Sequence, residues 1–164
     1  MGCGGINSCR TTADKKIEIN NNKLIETTFN NQDQIDLNGK LLELFSDFSS
    51  FCNNSFPNLE NLKLGNNNLS DISELKNLKA PKLKILDLSN NKIENLDVFK
   101  EVDFVLDELY LKGNSINQIG IFVDAKSLQK LKKLRISMID NERNKNLITN
   151  LKQTIKDLNM IQIK

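Results

Sequence analysis

Histidine and tryptophan are both absent from the 164 residues. Without histidine the commonest general base and metal ligand is missing, which removes Ser-His-Asp, Cys-His and His-metal chemistry together. No apolar run approaches the roughly 18 residues that a membrane-spanning helix requires, and the mean hydropathy of −0.42 is that of a water-soluble body. The three cysteines, Cys3, Cys9 and Cys52, are odd in number and form no CxxC pair. No apolar segment typical of a secretory signal follows Met1, so neither a disulfide framework nor an oxidising compartment is indicated. Charge of one sign is also lacking. Lys+Arg of 23 against Asp+Glu of 21 leaves a formal net charge of +2, too little to draw the chain toward nucleic acid or an anionic membrane. The length suits one domain with one core.

What is abundant is asparagine, 25 residues, and lysine, which outnumbers arginine 20 to 3. This bias is similar to that of proteins encoded by AT-rich protist genomes, so part of both signals is compositional background. The informative feature is a repeat. LENLKLGNNNL from Leu59, LKILDLSNNKI from Leu83 and LDELYLKGNSI from Leu106 share the pattern LxxLxLxxNxΦ, with Φ an apolar residue. The first residues of the LxL pairs are Leu62, Leu86 and Leu109, spaced by 24 and 23 residues. Weaker copies flank them. Ile17 and Ile19 with Asn22 and Leu24, then Ile35 and Leu37 with Lys40 and Leu42, precede the clear copies. Leu134 and Ile136, with Ile139 in place of the asparagine, and finally Ile161 and Ile163, follow them.

The pattern resembles the leucine-rich-repeat family of the short intracellular type, and the three central copies match its core motif at every defining position. The resemblance implies an α/β solenoid with a concave parallel β-sheet of about six to seven strands and convex helices and loops. Alternation in a strand turns both residues of LxL inward and the residue between them to solvent. One repeat cannot bury that apolar face alone, so neighbouring repeats must stack. Asn22, Asn67, Asn91 and Asn114 then form a structural ladder, each side chain satisfying loop backbone groups that are costly to leave unpaired. Between strands the apolar spacing becomes helical. Leu41, Leu44, Phe45, Phe48 and Phe51 predict an amphipathic convex helix, and Leu96, Phe99 and Val102, then Phe122, Ala125, Leu128 and Leu131, repeat the scheme. Seven of the eight phenylalanines lie in these intervening segments, as wedges of the core. A last helix around Leu147, Leu151, Ile155 and Leu158 leads into Ile161 and Ile163, resembling the family's C-terminal cap at about 141–164 without its usual proline. The expected organisation is a leader over 1–16, flexible or lipidated, and a single repeat domain over 17–164.

If the chain is such a solenoid, the residue inside each LxL lies in one solvent-facing column: Glu18, Asp36, Lys63, Asp87, Tyr110, Arg135 and Gln162. Glu60, Asn61, Lys84, Ile85, Asp107, Glu108, Lys132 and Lys133 flank it. The expected protein-binding residues are Asp36, Lys63, Asp87, Asp107, Tyr110, Lys133 and Arg135. Tyr110 and Arg135 are the residue types that dominate binding hot spots. Lys130, Lys132, Lys133 and Arg135 make a basic cluster that Leu131 and Leu134 interrupt, so it is no continuous basic helix.

The opening residues, Met1 to Ser8, resemble an N-myristoylation signal at Gly2 with a palmitoylatable Cys3, although Ile6 replaces the usual Ser or Thr. One acyl chain holds a membrane only marginally, so anchoring needs the second signal. No phosphate loop or metal-ligand cluster is recognisable, and Asp107 and Glu108 alternate to opposite sides of a strand. The expectation is a non-enzymatic interaction module with no cofactor and no small-molecule substrate. It docks a protein partner through the concave sheet, within a large complex in the cytoplasm. Similarity of plan to the outer-arm dynein light chain implies a structural subunit of a cytoskeletal or ciliary, axonemal assembly. The alternatives are a membrane-associated signalling adaptor acylated at its N-terminus, and a nuclear or ribonucleoprotein subunit. The ten basic against three acidic residues over 126–164 disfavour the acidic nuclear type.

Overall fold

The five LxL copies from Ile35 to Leu134 each place one strand, because their two apolar residues can be buried together only in extended backbone stacked on the next copy. The computed structural model describes residues 19–20, 23–24, 32–39, 45–116, 119–139, 149–153, 155 and 157–163. Six strands form one sheet in chain order: β3 (Gln34–Asp36), β4 (Asn61–Lys63), β5 (Ile85–Asp87), β6 (Glu108–Leu111), β7 (Lys133–Ile139) and β8 (Asp157–Ile163). Every neighbouring pair is parallel. Ile35, Leu62, Leu86, Leu109, Leu134 and Leu158 stand side by side in register. The first five of these are essentially inaccessible to water. The molecule is thus an α/β solenoid of stacked strand-and-turn repeats with a parallel sheet.

Four of the strands run into a recurring left-handed turn. Gly39, Asn66, Asn90 and Gly113, each four positions after the first apolar residue of its strand, all have positive φ, between 54° and 75°. Glycine and asparagine are the residues that tolerate this left-handed conformation at least cost. In the three clear repeats an asparagine follows and turns the chain away. At the corresponding places Met138 and Ile139 supply neither device, and β7 runs on to seven residues, pairing with β8 along its whole length.

The opposite face is covered by helical turns. The helix α1 (Phe45–Cys52) buries Phe48, Phe51 and Cys52, and the ring of Phe51 stacks on Phe56 with centroids 4.9 Å apart. After β4 and β5 the cover is a single 3-10 turn each, Ser73–Asn77 and Asp97–Lys100. After β6 it is a one-turn α2 (Ile121–Asp124) followed by a 3-10 turn at Lys126–Leu128. The spacing around Phe99 and Phe122 predicts fuller helices than these. Only 24 residues separate Leu62 from Leu86 and 23 separate Leu86 from Leu109, so a strand, an asparagine turn and the return leave room for one tight turn. The 27 residues from Ile35 to Leu62 accommodate a true α-helix. Leu96, Phe99, Phe122, Ala125, Leu128 and Leu131 are nevertheless buried as their spacing predicts, with Val102 packed against them.

Two ends of the repeat series differ from expectation. The segment around Ile19 is no strand of the solenoid. Here β1 (Ile19–Asn20) pairs antiparallel with β2 (Lys23–Leu24) in a separate two-stranded sheet, since Asn20 to Lys23 is short enough for a hairpin and too short for a parallel crossover. At the other end Leu158 belongs to β8 and not to the preceding helix, and β8 aligns Leu158 and Met160, not Ile161 and Ile163, with Leu134 and Ile136. Asn159 therefore stands beside Arg135, and Gln162 beside Met138. The helical residues 149–153 bury Leu151, with Ile155 buried after them. Gly2, Cys3, Cys9, Ile17, Glu18, Asn22, Lys40, Leu41, Leu42, Leu44 and Leu147 lie outside the described residues.

Candidate functional site: the open face of the sheet

The stacking that buries the leucines exposes two rows of side chains across the sheet. In one row Asp36, Lys63, Asp87, Tyr110 and Arg135 align in register. Two positions earlier in each strand, and so on the same face by alternation, run Gln34, Asn61, Ile85, Glu108 and Lys133. Asp36 and Arg135 are exposed, while Lys63, Asp87, Tyr110, Glu108 and Lys133 are half-buried among their neighbours. Asp107 does not share this face. It occupies the opposite phase from Glu108, immediately before β6, where its carboxylate pairs with Lys132 at 3.0 Å and its backbone carbonyl accepts from the Lys132 and Lys133 amides. Glu108, expected only as a flank, is the acidic residue that reaches the tyrosine.

Tyr110 is held from three sides. Its hydroxyl donates a hydrogen bond to Glu108 Oε2, the Lys133 ammonium lies 5.2 Å from its ring centroid, and the Arg135 guanidinium lies 5.7 Å from it. Both cations are within the range of attraction to an aromatic face. Lys133 also pairs with Glu108 at 3.3 Å. The hydrogen bond from Tyr110, aided by Lys133, holds the Glu108 carboxyl below its ordinary pKa against its partial burial. Burial, then the bond to Glu108, pushes the Tyr110 phenol up. The same two partners raise the Lys133 ammonium. The ring is thus fixed before any partner arrives, with less side-chain entropy left to lose on binding.

The row of ions is unevenly satisfied. Lys63 pairs with Asp36 at 3.2 Å. Asp87 accepts from the Ser89 amide at 2.8 Å but joins no ion pair among the described residues, and neither does Arg135. These two flank Tyr110, one strand to each side. In the second row Asn61 Oδ1 is buried with no hydrogen-bond partner among the described residues, and Ile85 sets an aliphatic side chain at the centre of the face.

The asparagines following each turn work on the fold beneath this face. Asn91 Nδ2 donates to Leu64 O and Leu88 O, both at 3.0 Å, while its Oδ1 accepts from Leu69 N at 3.0 Å. Asn114 does the same one repeat later, through Leu88 O, Leu111 O and Ile93 N. Asn67 Nδ2 reaches Leu37 O at 3.0 Å and Leu64 O at 2.9 Å. Each therefore ties its own turn to the preceding one. The period-two rule would have found the second row from sequence, and the recurrence of Gly or Asn at 39, 66, 90 and 113 would have found the left-handed turns.

Elsewhere the chemistry is sparse. The Cys52 thiol is buried and pushed well above its ordinary range by burial, with Glu74 adding to it, so it is a core atom and no nucleophile. A cavity of about 350 Å³ lies between the turns that follow β4 and β5, lined by Ser70, Asp71, Ser73, Lys76, Asn95 and Asp97 among others. Among the described residues no three Cys, Asp or Glu side chains gather as metal ligands, and no helix is long and apolar enough to cross a membrane.

Residues 57–101 match the family model of leucine-rich repeats in two copies. That segment contains β4, β5 and the turns between them. No curated protein matches the chain.

Proposed function

This chain is a leucine-rich-repeat protein, and we propose that it is a non-enzymatic subunit that docks a protein partner on the open face of its sheet, with Tyr110 as the central anchor. Leucine-rich-repeat domains generally mediate protein–protein interaction. The observation that carries the reading for this chain is the half-buried tyrosine braced by Glu108, Lys133 and Arg135 at the middle of an otherwise solvent-facing row. A rigid aromatic with a polar tip, surrounded by partly desolvated charge, is the composition of a hot spot. Asp36, Lys63, Asp87, Lys133 and Arg135 supply its rim, and Asp107 lies at the edge of that rim. By similarity of plan we assign the partner to a large cytoplasmic assembly of the cytoskeletal or ciliary kind.

The test is to isolate the tagged chain from its native cells with what accompanies it, and to identify the companions by mass spectrometry. Tyr110→Ala, shown by circular dichroism to be folded, should lose the companion protein. Val123→Asp, on an exposed site of the helix-covered side, should retain it. The reverse result places the interface on the convex side, and companions drawn from tubulin-based or actin-based structures support the assembly named.

A further inference from the structure

Resting on the open face as the docking surface, we infer that the partner segment is an α-helix lying across the strands, carrying a cation and a carboxylate seven residues apart with an apolar residue between them. The charges come from the two ions the sheet leaves unpaired. Lys63 is neutralised by Asp36 and Lys133 by Glu108, whereas Asp87 and Arg135 join no ion pair among the described residues. Asp87 attracts a Lys or Arg, and Arg135 a carboxylate that its planar fork can hold with two hydrogen bonds. Between them, on β6, stands Tyr110 in the same row, offering aromatic surface to an apolar side chain, and Ile85 adds aliphatic surface beside it, two residues before Asp87 on β5.

The spacing selects the helix. Asp87 and Arg135 are two strands apart, about 10 Å at the usual inter-strand distance. An extended chain covers about 10 Å in three residues, but residues three apart in a strand point to opposite sides, so one of the two charges would face away. A helix covers about 10.5 Å in seven residues, which is two turns, and returns both side chains to the same face with positions i+3 and i+4 between them. The two rows of the sheet lie about 7 Å apart along the strands, a width that a helix of about 10 Å diameter spans.

The probe is a displayed library of alanine-rich helical peptides about 18 residues long, randomised at i, i+3, i+4 and i+7 and free of Tyr and Trp, selected on the intact folded chain. The expected outcome is enrichment of opposite charges at i and i+7, in either order because the helix can lie in either direction, with Leu, Ile, Met or Phe between. Selection on Arg135→Glu, an exposed change, should turn both terminal positions to Lys or Arg. Enriched peptides should bind Tyr110→Ala about tenfold more weakly, with circular dichroism certifying the fold of each variant. Enrichment without linkage between the two charges, no response to Arg135→Glu, or no enrichment at all overturns the helix inference. Should the peptides bind Tyr110→Ala and the parent chain equally, the open face itself is the wrong surface, and the docking proposal falls with it.

Discussion

Asn91 shows how much one side chain does in this fold. Its amide serves two buried carbonyls and one buried amide drawn from two successive repeats. Asn91→Ala leaves those groups unpaired, so we expect a loss of about 3 kcal/mol, measured as a fall in the urea midpoint at unchanged slope. Asn67 is less buried, and Asn67→Ala should cost visibly less. Asn61 is the opposite case: its amide oxygen is buried with no hydrogen-bond partner among the described residues. Asn61→Val removes that unsatisfied group and should raise stability by about 1 kcal/mol, read in the same titration. If the face is a binding surface, the gain should come with weaker peptide binding, the usual trade between stability and function. The cluster at Tyr110 sets the pH response. Glu108 has a folded pKa below its ordinary one, so its contribution is fully present above the carboxylate range and lost as pH falls through the lowered value. Tyr110 has a raised one, so its contribution is present below the phenol range and lost as pH rises through the raised value. As Tyr110 is the chain's one tyrosine, tyrosinate absorbance reads this titration directly. The midpoint should lie above 10 and move down in Glu108→Gln. The asparagines were legible in sequence because a motif names them. The Glu108 contact was not, since adjacency of Asp107 and Glu108 in the chain hides which of the two shares the tyrosine's face.

Among the elements, the strands were readable and their covers were not, and the reason is length. An LxL triplet needs only alternation to declare itself, whereas the apolar spacing at Leu96, Phe99 and Val102 fits an α-helix and a 3-10 turn equally until the residues available between strands are counted. The ends misled for a related reason. Leu158 and Met160 carry the register, yet Ile161 and Ile163 look the better apolar pair when β8 is read without its neighbour. The turn after each strand gives a sharp test at this scale. Gly113 has φ of +75°, and a Cβ there would come within 2.2 Å of Asn90 Oδ1, whose amide bonds Asn66 Oδ1 at 2.9 Å. Gly113→Ala should therefore cost about 1–2 kcal/mol from the left-handed backbone alone, and more if Asn90 gives up its bond to Asn66. Gly120 provides the contrast. Its φ is −56° and nothing lies within 4 Å of an added Cβ, so Gly120→Ala should add about 0.4–1 kcal/mol by narrowing the unfolded ensemble. A thermal melt of both variants beside the parent chain orders them Gly120→Ala, parent, Gly113→Ala.

For the molecule as a whole, the question is whether the stacked repeats behave as one unit. In a solenoid each repeat touches only its neighbours, so stability divides into repeat and interface contributions, and long arrays can unfold in parts. Here the asparagines bond across every boundary from Leu37 to Leu111, and the apolar core is one continuous cluster from Ile35 to Ile155. Breaking any one boundary therefore exposes buried leucines on both sides, which favours a single transition. Leu86 lies on β5, the third of the six strands, and is inaccessible to water, and Leu86→Ala removes packing from the repeats before and after it. We expect a loss of about 3–5 kcal/mol. The chain offers its own local reporter, because with no tryptophan the intrinsic fluorescence comes from Tyr110 on β6 alone. Far-ultraviolet circular dichroism reports all the strands and turns together. In urea the two signals should share one midpoint in the parent chain and move together in Leu86→Ala. A circular dichroism transition that begins well before the tyrosine signal would mean that the outer repeats detach while the centre of the open face stays folded. Partner affinity would then survive conditions that already melt the ends of the sheet.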